Sequence, residues 1–128
     1  MSLTRQRLGK EAEAAAERFL RRKGYRILDR NVRVGRGELD IVAWVGETLI
    51  FVEVKARRTD RYGGVAYAVT ARKERQLVQL AARYLARHRL ENQSCRFDVL
   101  LYDAGTPASP ILEHIEHAFE VAGDDRRW

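Results

Sequence analysis

The chain has 128 residues, of which 45% are hydrophobic and 33% charged, enough for one packed domain and too apolar for wholesale disorder. A single cysteine, Cys95, excludes an internal disulfide framework and a multi-cysteine zinc site. The N-terminus lacks the apolar stretch of a signal peptide, and no apolar run approaches the ~18–20 residues of a membrane span. We therefore expect a cytoplasmic protein without a membrane partner.

The net charge of +6 is unevenly distributed along the chain. Twenty of the 24 basic residues are arginine, whereas residues 97–128 carry only two basic and seven acidic side chains. Arginine presents a planar set of donors that fits phosphate oxygens. The charge pattern therefore favours nucleic acid as a partner, and a solvated arginine-rich surface is the alternative interpretation.

The first half of the chain predicts one helix and three strands. Apolar residues recur at helical spacing over residues 5–23, and Gly24 supplies a stop signal. Strands are predicted over Tyr25–Val34, Leu39–Val45 and Leu49–Val54.

The second half predicts a loop, a helix and two further strands. The segments are a loop over Arg57–Tyr67, a helix capped by Thr70 and running to about Leu90, a strand over Phe97–Tyr102, a loop over Asp103–Pro110 and a segment over Ile111–Phe119. For the last segment we prefer a strand to a short helix, and we expect a frayed tail from Gly123 to Trp128. The pattern predicts a single α/β domain over residues 1–128, with a mixed central sheet flanked by helices in the order α-β-β-β-α-β-β.

The second and third strands suit a hairpin in which Gly46-Glu47 forms the two-residue loop. Facing residues then have numbers that sum to 93, which places Asp40 opposite Glu53 and Glu38 opposite Lys55 on one face of the sheet. Like charges opposite one another destabilise a sheet, so a bound cation, a shared proton or a nearby basic group has to offset the repulsion.

The same alternation directs apolar residues to the opposite face. Leu39, Ile41, Val52 and Val54 should all point there, away from the charged residues.

A divalent cation is one explanation for two facing carboxylates. Mg²⁺ prefers carboxylate and carbonyl oxygens, which Asp40, Glu53 and the main-chain carbonyl of Val54 would supply. Lys55, one step further along the same face, would orient or activate a water or stabilise developing negative charge. An ordinary polar sheet face, with Glu38 and Lys55 forming an ion pair, is the alternative.

Asp40, followed by a hairpin and then by Glu53-Val54-Lys55, resembles the PD-(D/E)xK nuclease signature. The surrounding sequence is similar to the YraN-like family of bacterial proteins from about residue 5 to residue 120. The matching residues are Leu8-Gly9, Glu13, Gly24-Tyr25, Asn31, the run 37–41, the run 51–57, Lys73, the run 96–99 and Ala118-Phe119. Two positions depart from the pattern: Ala12 stands where glycine is frequent, and Leu39 replaces the proline of the signature.

The resemblance implies a restriction-endonuclease-like fold, similar to archaeal Holliday-junction resolvases. It implies one or two Mg²⁺ or Mn²⁺ ions held by Asp40 and Glu53, with Glu13 of the first helix completing the ligands and Lys55 as the catalytic lysine. The implied function is a metal-dependent endonuclease that hydrolyses DNA phosphodiesters, with branched or structured DNA among the candidate substrates. The alternative function is a nucleic-acid-binding module without catalysis, and a homodimer is implied by the pairing of active sites in resolvases.

The remaining polar residues receive supporting roles. Arginines in the loop after the third strand and cations opening the second helix are candidate phosphate contacts, namely Arg57, Arg58, Arg61, Arg72 and Lys73. Glu38 either pairs with Lys55 or lies just outside the metal ligands. Asp98, in the middle of an apolar strand, is expected to be a buried structural acid.

Overall fold

The computed structural model describes residues 4–57, 69–105 and 111–121. Its elements are α1 (Arg5–Arg22), β1 (Arg26–Val34), β2 (Gly37–Val45), β3 (Thr48–Arg57), α2 (Ala71–Arg87), β4 (Cys95–Asp103) and β5 (Ile111–Ile115). The predicted α-β-β-β-α-β-β order is confirmed. Of the predicted loops Arg57–Tyr67 and Asp103–Pro110, the first residue of each belongs to a strand instead, since Arg57 ends β3 and Asp103 ends β4. The rest of the first loop, residues 106–110 of the second and the expected frayed tail lie outside the described residues.

The predicted boundaries differ most at the end of the chain. The strand expected over Ile111–Phe119 ends at Ile115, because a turn follows in which His117 has a φ of 49°. Phe119, beyond the turn, stacks on Phe97 with ring centroids 4.8 Å apart. The segment after β5 therefore covers the sheet instead of extending it.

Local sequence determines where both helices begin and where α1 ends. The hydroxyl of Thr4 accepts the N–H of Arg7 at 3.2 Å, and that of Thr70 accepts the N–H of Lys73 at 3.1 Å, so both helices have a side-chain N-cap. After α1, Gly24 adopts a φ of 100°, which glycine tolerates and other residues rarely do.

The five strands form one sheet in the order β1-β2-β3-β4-β5. Neighbouring strands are antiparallel except β3 and β4, which run parallel because α2 forms the crossover between them. β1 and β5 are consequently the edge strands, and β3, which carries Glu53 and Lys55, lies at the centre.

The two helices cover opposite faces of the sheet. On one face α1 packs small side chains, including Ala12 and Ala16, close to the strands. On the other face α2 packs Leu77, Leu80 and Tyr84 against the sheet. In the part of the chain that the structure describes, no helix has the length and hydropathy needed to cross a membrane.

A buried carboxylate holds the α1 face of the sheet together. Asp98 of β4 is 1% exposed and accepts hydrogen bonds from Tyr25, Arg96, His114 and the backbone N–H of His117, at 2.8–3.1 Å. Burial alone would raise the pKa of Asp98, but the hydrogen bonds from His114, Arg96 and His117 outweigh it and lower the pKa to about 2. The expectation that Asp98 is a buried, hydrogen-bonded acid is confirmed.

Asp98 should make the protein sensitive to acid. Because its pKa is lower in the folded chain than in the unfolded chain, its contribution is complete above about pH 4 and is lost as the pH falls towards 2. We expect urea unfolding to show about 2 kcal/mol of pH-dependent stability over this range that Asp98→Asn lacks. Parallel pH profiles of the two proteins would contradict this assignment.

Candidate functional site

The candidate site lies where β2 and β3 separate. Their ladder runs from Val45–Thr48 to Ile41–Val52, and every pair in it sums to 93 as predicted. Beyond this point β2 continues along β1 as far as Gly37, while β3 continues along β4 as far as Arg57. The two central strands thus open into a fork, which we call the strand fork, formed by residues 37–40 and 53–57.

The predicted facing pairs Asp40–Glu53 and Glu38–Lys55 are not part of the ladder, so this part of the register prediction is wrong. Instead, Oδ2 of Asp40 accepts the backbone N–H of Val54 at 2.8 Å. The side chain of Asp40 thus takes the place of a strand partner.

The predicted alternation also fails at the strand fork. Leu39 packs in the core under α2 together with Val42 and Phe51, whereas Ile41 and Val52 pack under α1. The prediction that Leu39 shares a face with Ile41 is therefore wrong. The physical reason is that the regular pleat ends where the strands part, and in neighbouring β1 the backbone of Asn31 has a φ of 51°.

Asp40 is the residue at which the acidic groups meet. Burial, a hydrogen bond with the Glu53 carboxyl group and the charges of Glu53 and Glu13 raise the pKa of Asp40 to about 8, although the N–H of Val54 acts in the opposite direction. Two carboxyl groups in such contact cannot both ionise without a large electrostatic cost. Near neutral pH the pair therefore retains a proton that ordinary carboxyl groups lose below pH 5.

Glu53 is held against α2. Its side chain is 9% exposed, and Nζ of Lys73 lies 3.2 Å from its Oε2 atom. That contact is an ion pair without hydrogen-bond geometry, because Oε2 is buried and has no hydrogen-bond partner among the described residues. Lys73 thus compensates the charge of Glu53 without satisfying its oxygen.

Glu13 and Glu38 approach Asp40 from the α1 side. Carboxylate oxygens of these three residues lie within 4.8 Å of one another. Burial and then the charge of Glu38 raise the pKa of Glu13, while a hydrogen bond from Asn31 lowers it. The strand fork therefore collects acidic groups from α1, β2 and β3.

Asn31, for which the residue pattern predicts no role, links two of these acids. When its amide is oriented to suit its neighbours, its nitrogen donates to Oε1 of Glu13 at 3.0 Å and to Oε1 of Glu38 at 3.1 Å. The sequence signal was weak, because asparagine is common at left-handed positions without any function. Asn31 and Glu13 line a pocket of about 270 Å³ between α1 and the sheet, with Lys10, Arg30 and Asp40.

The other predicted residues surround the strand fork at different distances. Lys55 is exposed on β3, two residues after Glu53, and Val54 between them is partly buried. Arg57 pairs with Asp103 through a 2.9 Å contact, so its guanidinium is already engaged. Arg72 is exposed at the start of α2. Arg58 and Arg61 lie outside the described residues.

The fold and the site define an α/β domain with a cluster of four carboxyl groups and adjacent lysines at a fork in its central sheet. A sequence model described as uncharacterised protein family UPF0102 matches residues 12–101. UPF0102 proteins of Geobacter sulfurreducens and Symbiobacterium thermophilum are each 47% identical over 115 residues, which cover 90% of this chain and 90% and 98% of the respective relatives. A UPF0102 protein of Frankia casuarinae is 46% identical over 112 residues, which cover 88% of this chain and 95% of the relative.

The chain therefore belongs to the UPF0102 family, which confirms the YraN-like resemblance of the sequence.

The close contact of the acidic groups should reduce the stability of the folded chain. Asp40→Asn keeps an oxygen that can accept the N–H of Val54 and adds an amide that can donate to Glu53, while removing one of the repelling charges. In EDTA near pH 8 we expect this substitution to increase the free energy of unfolding in urea by on the order of 1–2 kcal/mol.

The control is Glu47→Gln, which removes one negative charge from the exposed loop of the same hairpin and should leave the stability within about 0.5 kcal/mol of the original. Equal or lower stability of Asp40→Asn relative to the control would show that the carboxyl groups do not repel as described.

Proposed function

We propose that the strand fork is the active site of a divalent-metal-dependent endonuclease that hydrolyses DNA phosphodiesters. The observation that carries the proposal is the buried carboxyl group of Glu53 in contact with Asp40, which raises the pKa of Asp40. Such an arrangement costs stability, and a protein that only packs a sheet would gain nothing from it. Functional sites are where groups with strongly shifted pKa values concentrate.

The donor atoms fit a hard divalent cation. All four acidic groups offer oxygen, the atom that Mg²⁺ and Mn²⁺ prefer, and Oε2 of Glu53 accepts no hydrogen bond from the described residues that a cation would displace. Asp40, Glu53 and the carbonyl of Val54 would hold one or two such cations, with Glu13 completing the ligands and Glu38 beside them. When bound, the cation would polarise the scissile phosphate and lower the pKa of the attacking water.

The chain's own cations would handle the phosphate. Lys55 is exposed beside the acidic cluster, where an ammonium can orient a water and stabilise charge that develops on the phosphoryl oxygens. Arg72 is exposed at the N-terminus of α2, whose free N–H groups also favour anions. Arg58 and Arg61, which lie outside the described residues, remain predicted contacts of the DNA backbone.

Two further features of the proposal come from the resemblance. The likeness of Asp40 and Glu53-Val54-Lys55 to the nuclease signature favours hydrolysis over simple binding. The likeness to resolvases favours branched or otherwise structured DNA and two copies of the chain acting together.

The test is a cleavage assay on labelled linear, flapped, single-stranded and four-way DNA with Mg²⁺, Mn²⁺ or EDTA. We expect cleavage with either metal and none in EDTA. Glu53→Gln and Lys55→Met should each reduce the rate about a hundredfold or more, because each removes a group that acts on the transition state. Glu47→Gln is the control and should cleave at the original rate.

Sedimentation of the protein with and without DNA tests the expected dimer.

A different active site and a non-catalytic binding module would each give a different result in these assays. Cleavage that persists in both variants would contradict the assigned site. DNA binding that weakens with salt, without cleavage of any substrate, would replace the endonuclease with the non-catalytic binding module.

A further inference from the structure

Lys73 occupies a fixed position at the start of α2. Its backbone N–H is held by the Thr70 hydroxyl, so the first turn of the helix presents the lysine at a defined point over the sheet. Its side chain is 33% exposed, and its ammonium nitrogen lies 3.2 Å from Oε2 of Glu53. Only part of this lysine is therefore in contact with solvent, and its charged end meets a buried acid.

Among the described residues, Lys73 is the cation that pairs with the Oε2 atom of Glu53. Oε2 of Glu53 is buried and accepts no hydrogen bond among the described residues, while the same carboxyl group is in contact with Asp40. A buried carboxylate without a nearby positive charge is strongly destabilising. The ammonium of Lys73 is thus the cation that the structure provides for Glu53 on the α2 side.

We propose that Lys73 is a positioning residue that acts as the counter-cation of the metal-free site and competes with the metal ion for Glu53. This inference rests on the proposed function, since it takes Glu53 as a metal ligand. The sequence pattern suggested a phosphate contact for Lys73, but the structure directs its ammonium towards the acid instead. Two cations at one carboxylate oxygen repel each other, so metal binding should weaken the contact with Lys73, and the lysine in turn should lower the affinity for metal.

An ion pair that is merely structural would affect the stability of the metal-free protein but not its affinity for metal. Removing the charge of Lys73 lowers stability without metal and raises metal affinity, because both effects come from the same oxygen. Retaining the charge in Lys73→Arg should restore both values towards the original. A lysine that only packs against the sheet would change stability without changing metal affinity.

The experiment compares Lys73→Met, Lys73→Arg and Arg72→Met in the full chain. Arg72 is the matched control, because it is an exposed cation on the same turn of α2. Urea unfolding in EDTA measures stability, and calorimetric titration with MnCl₂ measures affinity. We expect Lys73→Met to unfold at lower urea than Arg72→Met and to bind Mn²⁺ about tenfold more tightly than the original protein. Lys73→Arg and Arg72→Met should bind Mn²⁺ within about twofold of the original.

The outcomes distinguish this inference from the proposed function. Mn²⁺ binding by all proteins with equal affinity overturns the competition while leaving the metal site intact. Equal stability of Lys73→Met and Arg72→Met in EDTA overturns the counter-cation role. An absence of Mn²⁺ binding in every protein overturns the metal site itself and the competition with it.

Should Lys73→Met fail to fold in EDTA, it is refolded from urea with and without MnCl₂. Recovery that depends on MnCl₂ supports the competition between the two cations, because the metal then replaces the missing charge. Failure to fold in both conditions overturns it.

Discussion

The burial of one carboxyl group beside another is the constraint on which the rest of this structure depends. Glu53 is 9% exposed and lies against Asp40, and one of its oxygens accepts no hydrogen bond within residues 4–57, 69–105 and 111–121. An arrangement of this kind lowers stability unless surrounding groups compensate for it. The compensation comes from two sides: the N–H of Val54 donates to Asp40, and Lys73 approaches Glu53 from α2.

The fold provides these groups because β2 and β3 separate at the strand fork. Each strand keeps one neighbour beyond the fork, β1 for β2 and β4 for β3, so the sheet remains hydrogen-bonded while its centre opens. Hydrophobic cores on both faces hold the strands in place, and the Asp98 network fixes β5 and the start of β1 to β4. The strand fork thus holds its closely spaced carboxyl groups at one end of a sheet that is otherwise packed and hydrogen-bonded.

Much of this organisation is readable from the sequence because it depends on local signals. Thr70 caps α2 as predicted, and Gly46-Glu47 forms the hairpin loop that sets the register of β2 and β3. The contribution of Glu13 to the acidic cluster was anticipated through the family resemblance, and the structure brings its carboxylate close to Glu38 and Asp40.

The differences between the predicted and the observed structure arise from tertiary contacts that local periodicity does not encode. Alternation assigns Leu39 and Ile41 to one face, but it assumes a ladder that continues beyond the point where the strands part. The contacts of Asn31 depend on a left-handed backbone in β1, and that of Lys73 depends on how α2 lies across β3. Neither could be obtained from residue spacing, because each joins segments that are distant in the sequence.

The central claim is that the strand fork is a divalent-cation site, and anomalous diffraction from a crystal soaked in MnCl₂ tests it most directly. We expect an anomalous peak among the carboxylate oxygens of Asp40, Glu53 and Glu13, with the ammonium of Lys73 moved away from Glu53. A well-ordered strand fork without a peak at saturating MnCl₂, and with Lys73 still against Glu53, would contradict the account.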